Sequence, residues 1–94
     1  MATLLVRHKV KNYSAWKKVF DDFVSVRRAG GEKSYQIFHT ETDPNNLLLT
    51  FQWDSLNNAK KFAGSSVLKE AMQKAGVIEE PKIDFLNEID RGTT

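Results

Sequence analysis

The sequence has no cysteine, which excludes disulfides, thiolate nucleophiles and zinc–thiolate sites together. It has only two prolines, and both fall where elements are expected to begin or turn. No apolar run approaches the roughly 20 residues of a membrane span. The opening Met-Ala-Thr-Leu-Leu-Val-Arg-His lacks a basic segment followed by a long apolar stretch, so no secretory signal is expected and the expected location is cytoplasmic. Charge of one sign is also missing. The 14 basic and 12 acidic residues leave a net charge of +2, and they are interspersed. Lys17-Lys18 and Lys60-Lys61 sit on polar helix sides rather than in a clustered basic face, which argues against a nucleic-acid partner. There is no repeat, linker or low-complexity segment. Nothing matches a phosphate loop, a nucleotide fingerprint, a serine elbow or a pair of catalytic carboxylates.

What is present describes an ordinary globular chain. Ninety-four residues, 40% hydrophobic and 28% charged, suit one domain spanning 1–94. A chain this short gains from burial against a partner. Residues 3–10 alternate apolar and polar and predict a strand. Asn12 or Ser14 caps the helix that follows, and Trp16, Val19, Phe20 and Phe23 recur on one side of about four turns. Gly30-Gly31 ends it. Residues 33–40 form a second strand, Asp43-Pro44-Asn45-Asn46 a turn, and 47–53 a third strand. Asp54 or Ser55 caps a second helical stretch, which Gly64-Ser65-Ser66 interrupts and Gly76 ends. Pro81 precedes a last strand over 82–90, and residues 91–94 are expected to fray. The order is β-α-β-β-α-β. Right-handed crossovers then give an α+β, ferredoxin-like domain, with a four-stranded antiparallel sheet in order 4-1-3-2 and both helices on one face.

Alternation assigns the two faces. Leu4, Val6, His8 and Val10, with Leu47, Leu49, Phe51 and Trp53, and Ile83, Phe85, Asn87 and Ile89, are expected to meet the helices. The opposite face keeps Leu5, Phe38, Leu48 and Leu86, more large apolar groups than a wetted sheet needs. Arg7 and Lys9 on that face are expected to neighbour Asp84 and Glu88 and to form cross-strand ion pairs. Together these residues predict sheet-to-sheet homodimerisation.

The segments VRHKVKNYSAWKKVF, YQIFHTETDPNNLLLTFQWDSLNNAKKFAGSSVLKEAMQKAGV and PKIDFLNEID resemble the dimeric α+β barrel superfamily. More narrowly, they look like the small antibiotic-biosynthesis-monooxygenase-like proteins. The most specific part is Trp53-Asp54-Ser55 leading into Leu56, Ala59 and Phe62, then a serine break and Leu68-Lys69-Glu70-Ala71-Met72. The resemblance implies a homodimer with a ligand cleft between sheet and helices in each subunit. The superfamily includes cofactor-independent oxygenases, haem-degrading enzymes and cyclases, and fold alone does not choose among them. Haem-degrading relatives place a tryptophan and a histidine where this chain has Phe62 and Met72. They also place an asparagine on a first strand that here offers Arg7 and His8. Without an axial histidine the resemblance gives no support to haem degradation, and no cofactor is expected.

His8 and His39 both fall on the helix-facing side by alternation, at the same end of the cleft and separated by the third strand. Their backbones are expected roughly 9–10 Å apart. That spacing is awkward for shared metal ligation, and Asn87 and Glu88 are only loosely placed as further ligands, so no metal is expected. Either histidine can serve as a general base near neutral pH, removing a proton from a phenol or quinol whose carbanion then meets oxygen directly. Tyr35, Trp53, Phe85 and Trp16 can line a pocket for a small aromatic ligand, with Tyr35 and Asn87 hydrogen-bonding its oxygens. The same aromatics can equally be plain core. A non-catalytic ligand-binding or interaction module, and an isomerase or cyclase, remain open alternatives. Arg27-Arg28 read as complements to a helix dipole.

Overall fold

The computed structural model of the protein describes residues 2–94. Strand β1 (Ala2–Lys9) opens the chain, and Leu4, Val6 and His8 turn inward at every second position. The Asn12 side chain accepts the Ala15 N–H at 3.0 Å and starts helix α1 (Tyr13–Asp22). The single helix expected here is two. At Phe23 the backbone leaves helical angles (φ −90°, ψ 2°), and a new helix, α2 (Val24–Gly30), begins. Gly31 then takes φ +121°. A Cβ at Gly31 would lie 2.4 Å from Asp54 Oδ1, so both the torsion and the close approach demand glycine.

Strand β2 (Glu32–Thr40) and strand β3 (Asp43–Trp53) form the central hairpin. Its turn is Glu41-Thr42, not the expected 43–46. Asp43 already pairs with Thr40, whereas Leu47 pairs with His39, so residues 44–46 bulge out of the β2 ladder. Pro44 has no N–H to give a ladder, which a bulge tolerates. Helix α3 (Leu56–Ala63) is capped by Ser55 on the Asn58 N–H, and helix α4 (Ser66–Lys74) by Ser65 on the Leu68 N–H. The break between them falls at Gly64-Ser65, as the sequence predicts. Gly76, at φ +79°, follows α4.

Strand β4 (Lys82–Leu86) is shorter than the expected 82–90. It pairs with β1 alone, and Leu86 already faces Thr3. The ladder with β1 ends at that pair, and Asn87, Glu88 and Ile89 lie beyond the sheet without regular structure. The strand order is β2-β3-β1-β4, with every neighbouring pair antiparallel. This is the expected 4-1-3-2 arrangement. Rows run straight across it: Tyr35, Phe51, Leu4 and Phe85 share one row, and Ile37, Leu49, Val6 and Ile83 the next.

The core lies between these rows and the helices, around Leu4, Val6, Val10, Trp16, Phe20, Leu47, Leu49, Phe51, Trp53 and Ala59. Burying each large side chain there contributes about 1.5–3 kcal/mol. On the opposite face Phe38 is 48% and Leu86 41% exposed, while Leu5 and Leu48 are half-buried. The expected ion pairs on that face do not form. The register sets Arg7 against Lys82 and Asp84 against Leu5. Lys9 pairs instead with Asp43 (3.7 Å), and Glu88, past the end of β4, pairs with Arg91. No helix among the described residues is long and apolar enough to cross a membrane.

Candidate functional site

Between the sheet and helices α1 and α4 lies a cavity of about 70 Å³. Leu4, Val6, Leu49 and Phe51 form its floor, Trp16 and Phe20 one wall, and Leu68, Ala71 and Met72 of α4 another. Four polar residues interrupt this apolar lining: His8, Arg27, Glu32 and Trp53. Among the described residues, the buried side-chain nitrogens and oxygens without a hydrogen-bond partner are His8 Nδ1 and Nε2, Arg27 Nη2, Glu32 Oε1 and Trp53 Nε1. All of them belong to these four lining residues. Buried polar groups are normally satisfied, so five orphans on the lining residues of one cavity set this region apart from the rest of the core.

The α1 side chains connect the two ends of the site. His8 meets Trp16 edge-on, ring centroids 5.8 Å apart. Trp16 stacks on Phe20 at 4.9 Å, and the Arg27 guanidinium sits 3.6 Å from the Phe20 ring centroid. Arg27 is held there by Glu32, Nε donating to Oε2 at 3.0 Å, and by Nη1 donating to the Phe20 carbonyl. Arg27 and Glu32 are only 3% and 8% exposed. The local sequence marks neither as a site residue. An arginine in a last helical turn reads as a dipole complement, and a glutamate after two glycines reads as turn. The one available signal was the pairing of opposite charges five residues apart around a chain reversal.

Burial lowers the His8 pKa from 6.5 to about 4, because the interior disfavours the imidazolium. His8 is thus neutral at pH 7, with both ring nitrogens free. Burial pushes the Glu32 carboxyl above its ordinary range, and the charge and hydrogen bond of Arg27 pull it partly back.

The structure brings together three of the residues expected at the site: His8, Trp16 and Trp53 line the cavity. His39 does stand in one row with His8, flanking Leu47, but its ring is exposed and bonds the Thr40 carbonyl through Nδ1 at 2.8 Å. It lies near the free end of the hairpin, one residue before the last paired residue of β2. Tyr35 and Phe85 are on the helix-facing side without reaching the cavity. Tyr35 packs edge-on against the outer side of Phe20 at 5.0 Å, and Phe85 on edge strand β4 lies under Lys60. Asn87 is outside β4 and exposed. No group of three or more histidines and carboxylates among the described residues is placed to hold a metal ion.

This arrangement is the ferredoxin-like α+β fold of the antibiotic-biosynthesis-monooxygenase type. A solved structure of an antibiotic biosynthesis monooxygenase superposes with a TM-score of 0.70 at 10% identity, over 96% of this chain and 100% of the other. A mutant of SnoaB, a cofactor-independent oxygenase from Streptomyces nogalater, does so at 0.74 and 10% identity, over 96% and 94%. A Mycobacterium tuberculosis protein gives 0.69 at 16%, over 98% of each chain. At these identities the likeness is one of fold. No protein-family model matches the chain, and no curated protein matches it in sequence.

Proposed function

We propose that the protein binds a small, mostly apolar aromatic molecule in the cavity between sheet and helices, as a homodimer, and oxygenates it without a cofactor. The carrying observation is that every orphaned buried polar atom among the described residues belongs to a residue lining that one apolar cavity. Apolar walls supply binding energy, and a few convergent polar groups orient the ligand. The fold shared with a cofactor-independent oxygenase supports the reaction class.

His8 is the proton acceptor in this reading. Neutral at pH 7, it takes a proton from an acidic phenol, quinol or ring methylene. The imidazolium is stabilised by the substrate anion it has just made, in a medium where such a pair attracts strongly. The resulting carbanion passes its electrons to dioxygen and forms the new C–O bond. Cleavage of the O–O bond then leaves a carbonyl on the substrate, and the second oxygen departs as water with the two protons lost from carbon. One dioxygen is consumed per methylene oxidised, and no external reductant is needed.

At about 70 Å³ the cavity is smaller than the ~150 Å³ that admits benzene in a protein core, so a wall must yield. Helix α4 is that wall, because it contributes no buried residue and such segments open first. The small cavity and the outward His39 also favour a second reading, a non-catalytic ligand-binding module on the same fold. An isomerase or cyclase would use the same cavity without oxygen. The test is oxygen uptake with a panel of anthrone- and quinol-type compounds, comparing wild type with His8→Ala. Uptake lost in the variant supports the oxygenase. Equal uptake in both removes it, and turnover without oxygen transfers the site to an isomerase or cyclase.

The dimer in this reading forms through the outer sheet face, where Phe38 and Leu86 are exposed beside Leu5, Leu48 and Arg7. Two such faces remove the exposed apolar groups from water.

A further inference from the structure

The Arg27–Glu32 pair is half closed. A guanidinium and a carboxylate in full register exchange two parallel hydrogen bonds. Here Nε–Oε2 is made at 3.0 Å, while Nη2 and Oε1, the atoms that would make the second bond, are both buried and unpartnered. Trp53 directly faces Glu32 across the β2–β3 ladder, and its Nε1–H is unpartnered too. The residues lining one end of the cavity therefore carry two buried donors and one buried acceptor, and each residue is more than nine-tenths buried. His8 belongs to the opposite end. It shares its row with Leu47, six residues along β3 from Trp53, or roughly 20 Å of strand.

Charge decides what this end accepts. Glu32 already balances Arg27, so no net positive charge remains to offset the desolvation of an anion. Oε1 would also face an anion's oxygen. A ligand with only acceptors uses the donors but leaves Oε1 orphaned, and a purely apolar one leaves all three atoms unmet. A neutral group with an acceptor and a donor on neighbouring atoms satisfies both partners at once.

We infer that the Arg27–Glu32–Trp53 end of the cavity is a specificity site for a neutral donor–acceptor edge, of the carboxamide type, on an otherwise apolar aromatic ligand. The inference rests on the cavity reading above and adds the substrate class to it. Arg27 and Trp53 donate to the carbonyl oxygen, and Glu32 accepts from the neighbouring N–H. The aromatic body lies along Trp16 and Phe20.

The test is an NMR titration of the full-length protein with four probes of one shape: benzamide, acetophenone, benzoate and ethylbenzene. Benzamide is expected to bind about tenfold more tightly than acetophenone or benzoate, the worth of one further hydrogen bond to a charged partner. Glu32→Gln replaces the free acceptor by an amide N–H and is expected to reverse the order, acetophenone then exceeding benzamide. If ethylbenzene binds as well as benzamide to the wild type, the specificity site is refuted while the cavity reading stands. If none of the four binds, both fall. The wild-type series decides the matter even where the variant does not fold.

Discussion

Arg27 Nε lies 3.0 Å from Glu32 Oε2, and the guanidinium rests against the Phe20 ring at 3.6 Å, so a formal charge pair is enclosed by apolar side chains. Removing one partner leaves the other charge buried alone. Arg27→Met is expected to destabilise the fold by about 3–5 kcal/mol, and Arg27→Met with Glu32→Leu to recover most of that loss. Urea unfolding of the two single variants and the double variant measures the coupling. Additive losses would mean that the pair is solvated and contributes little.

His8 gives the fold a pH dependence of known sign. The unfolded chain takes up this proton near pH 6.5 and the folded chain only near 4. Between those values the unfolded state binds more protons, so stability falls as pH falls. The loss reaches about 3 kcal/mol by pH 4. His8→Leu removes this contribution. Glu32, shifted the other way, is common to both proteins and cancels in the difference. Urea midpoints for wild type and variant at several pH values between 7.5 and 4 should diverge as the pH drops. Parallel curves would mean that His8 titrates as though exposed.

Gly31 and Gly64 form an internal contrast. Gly31→Ala forces a side chain to φ +121° and into the Asp54 carboxylate, which also binds Asn58 Nδ2 at 3.0 Å. A loss of about 2 kcal/mol is expected. Gly64 has φ −91° and nothing nearer to a new Cβ than the Lys60 carbonyl at 3.6 Å, so Gly64→Ala should be neutral or slightly stabilising. Thermal unfolding of the two variants makes the comparison. Equal midpoints would contradict the strained conformation at Gly31.

The outer face predicts an association phenotype. Phe38→Lys adds charge at a side chain that is 48% exposed and lies outside the core. The variant should sediment as a monomer with unchanged circular dichroism, and the wild type is expected to sediment as a dimer. A monomeric wild type at micromolar concentration would remove the dimer from the account.

Most of the fold was legible because period-two alternation leaves little choice once a face is apolar. Leu4, Val6 and His8 look inward for that reason, and so do Leu47, Leu49, Phe51 and Trp53. Asn12 and Ser55 were each one of two cap candidates, and Ser65 lay in the expected break. Long-range register was harder to read. The register of β4 on β1 is not encoded in local pattern: it sets Arg7 against Lys82 rather than Asp84, and its last pair, Thr3 with Leu86, leaves Asn87 outside the sheet. His39 had the right parity, yet parity says nothing about how far along a row a helix extends its cover: the same row is buried at His8 and exposed at His39. Arg27 and Glu32 each fit an ordinary surface role in the sequence. Only the break at Phe23 and the reversal at Gly31 turn them toward each other.

The proposed function requires the cavity beside His8 to accept a small aromatic molecule. The most direct measurement is the nitrogen NMR of the His8 ring at pH 7 in the presence of phenol, with toluene as a control of the same shape. The expected result is that phenol shifts one His8 ring nitrogen as it donates its hydroxyl proton to a previously unpartnered atom, while toluene leaves both nitrogens nearly unmoved. If phenol and toluene leave His8 alike, or only His39 responds, this cavity is not the binding site.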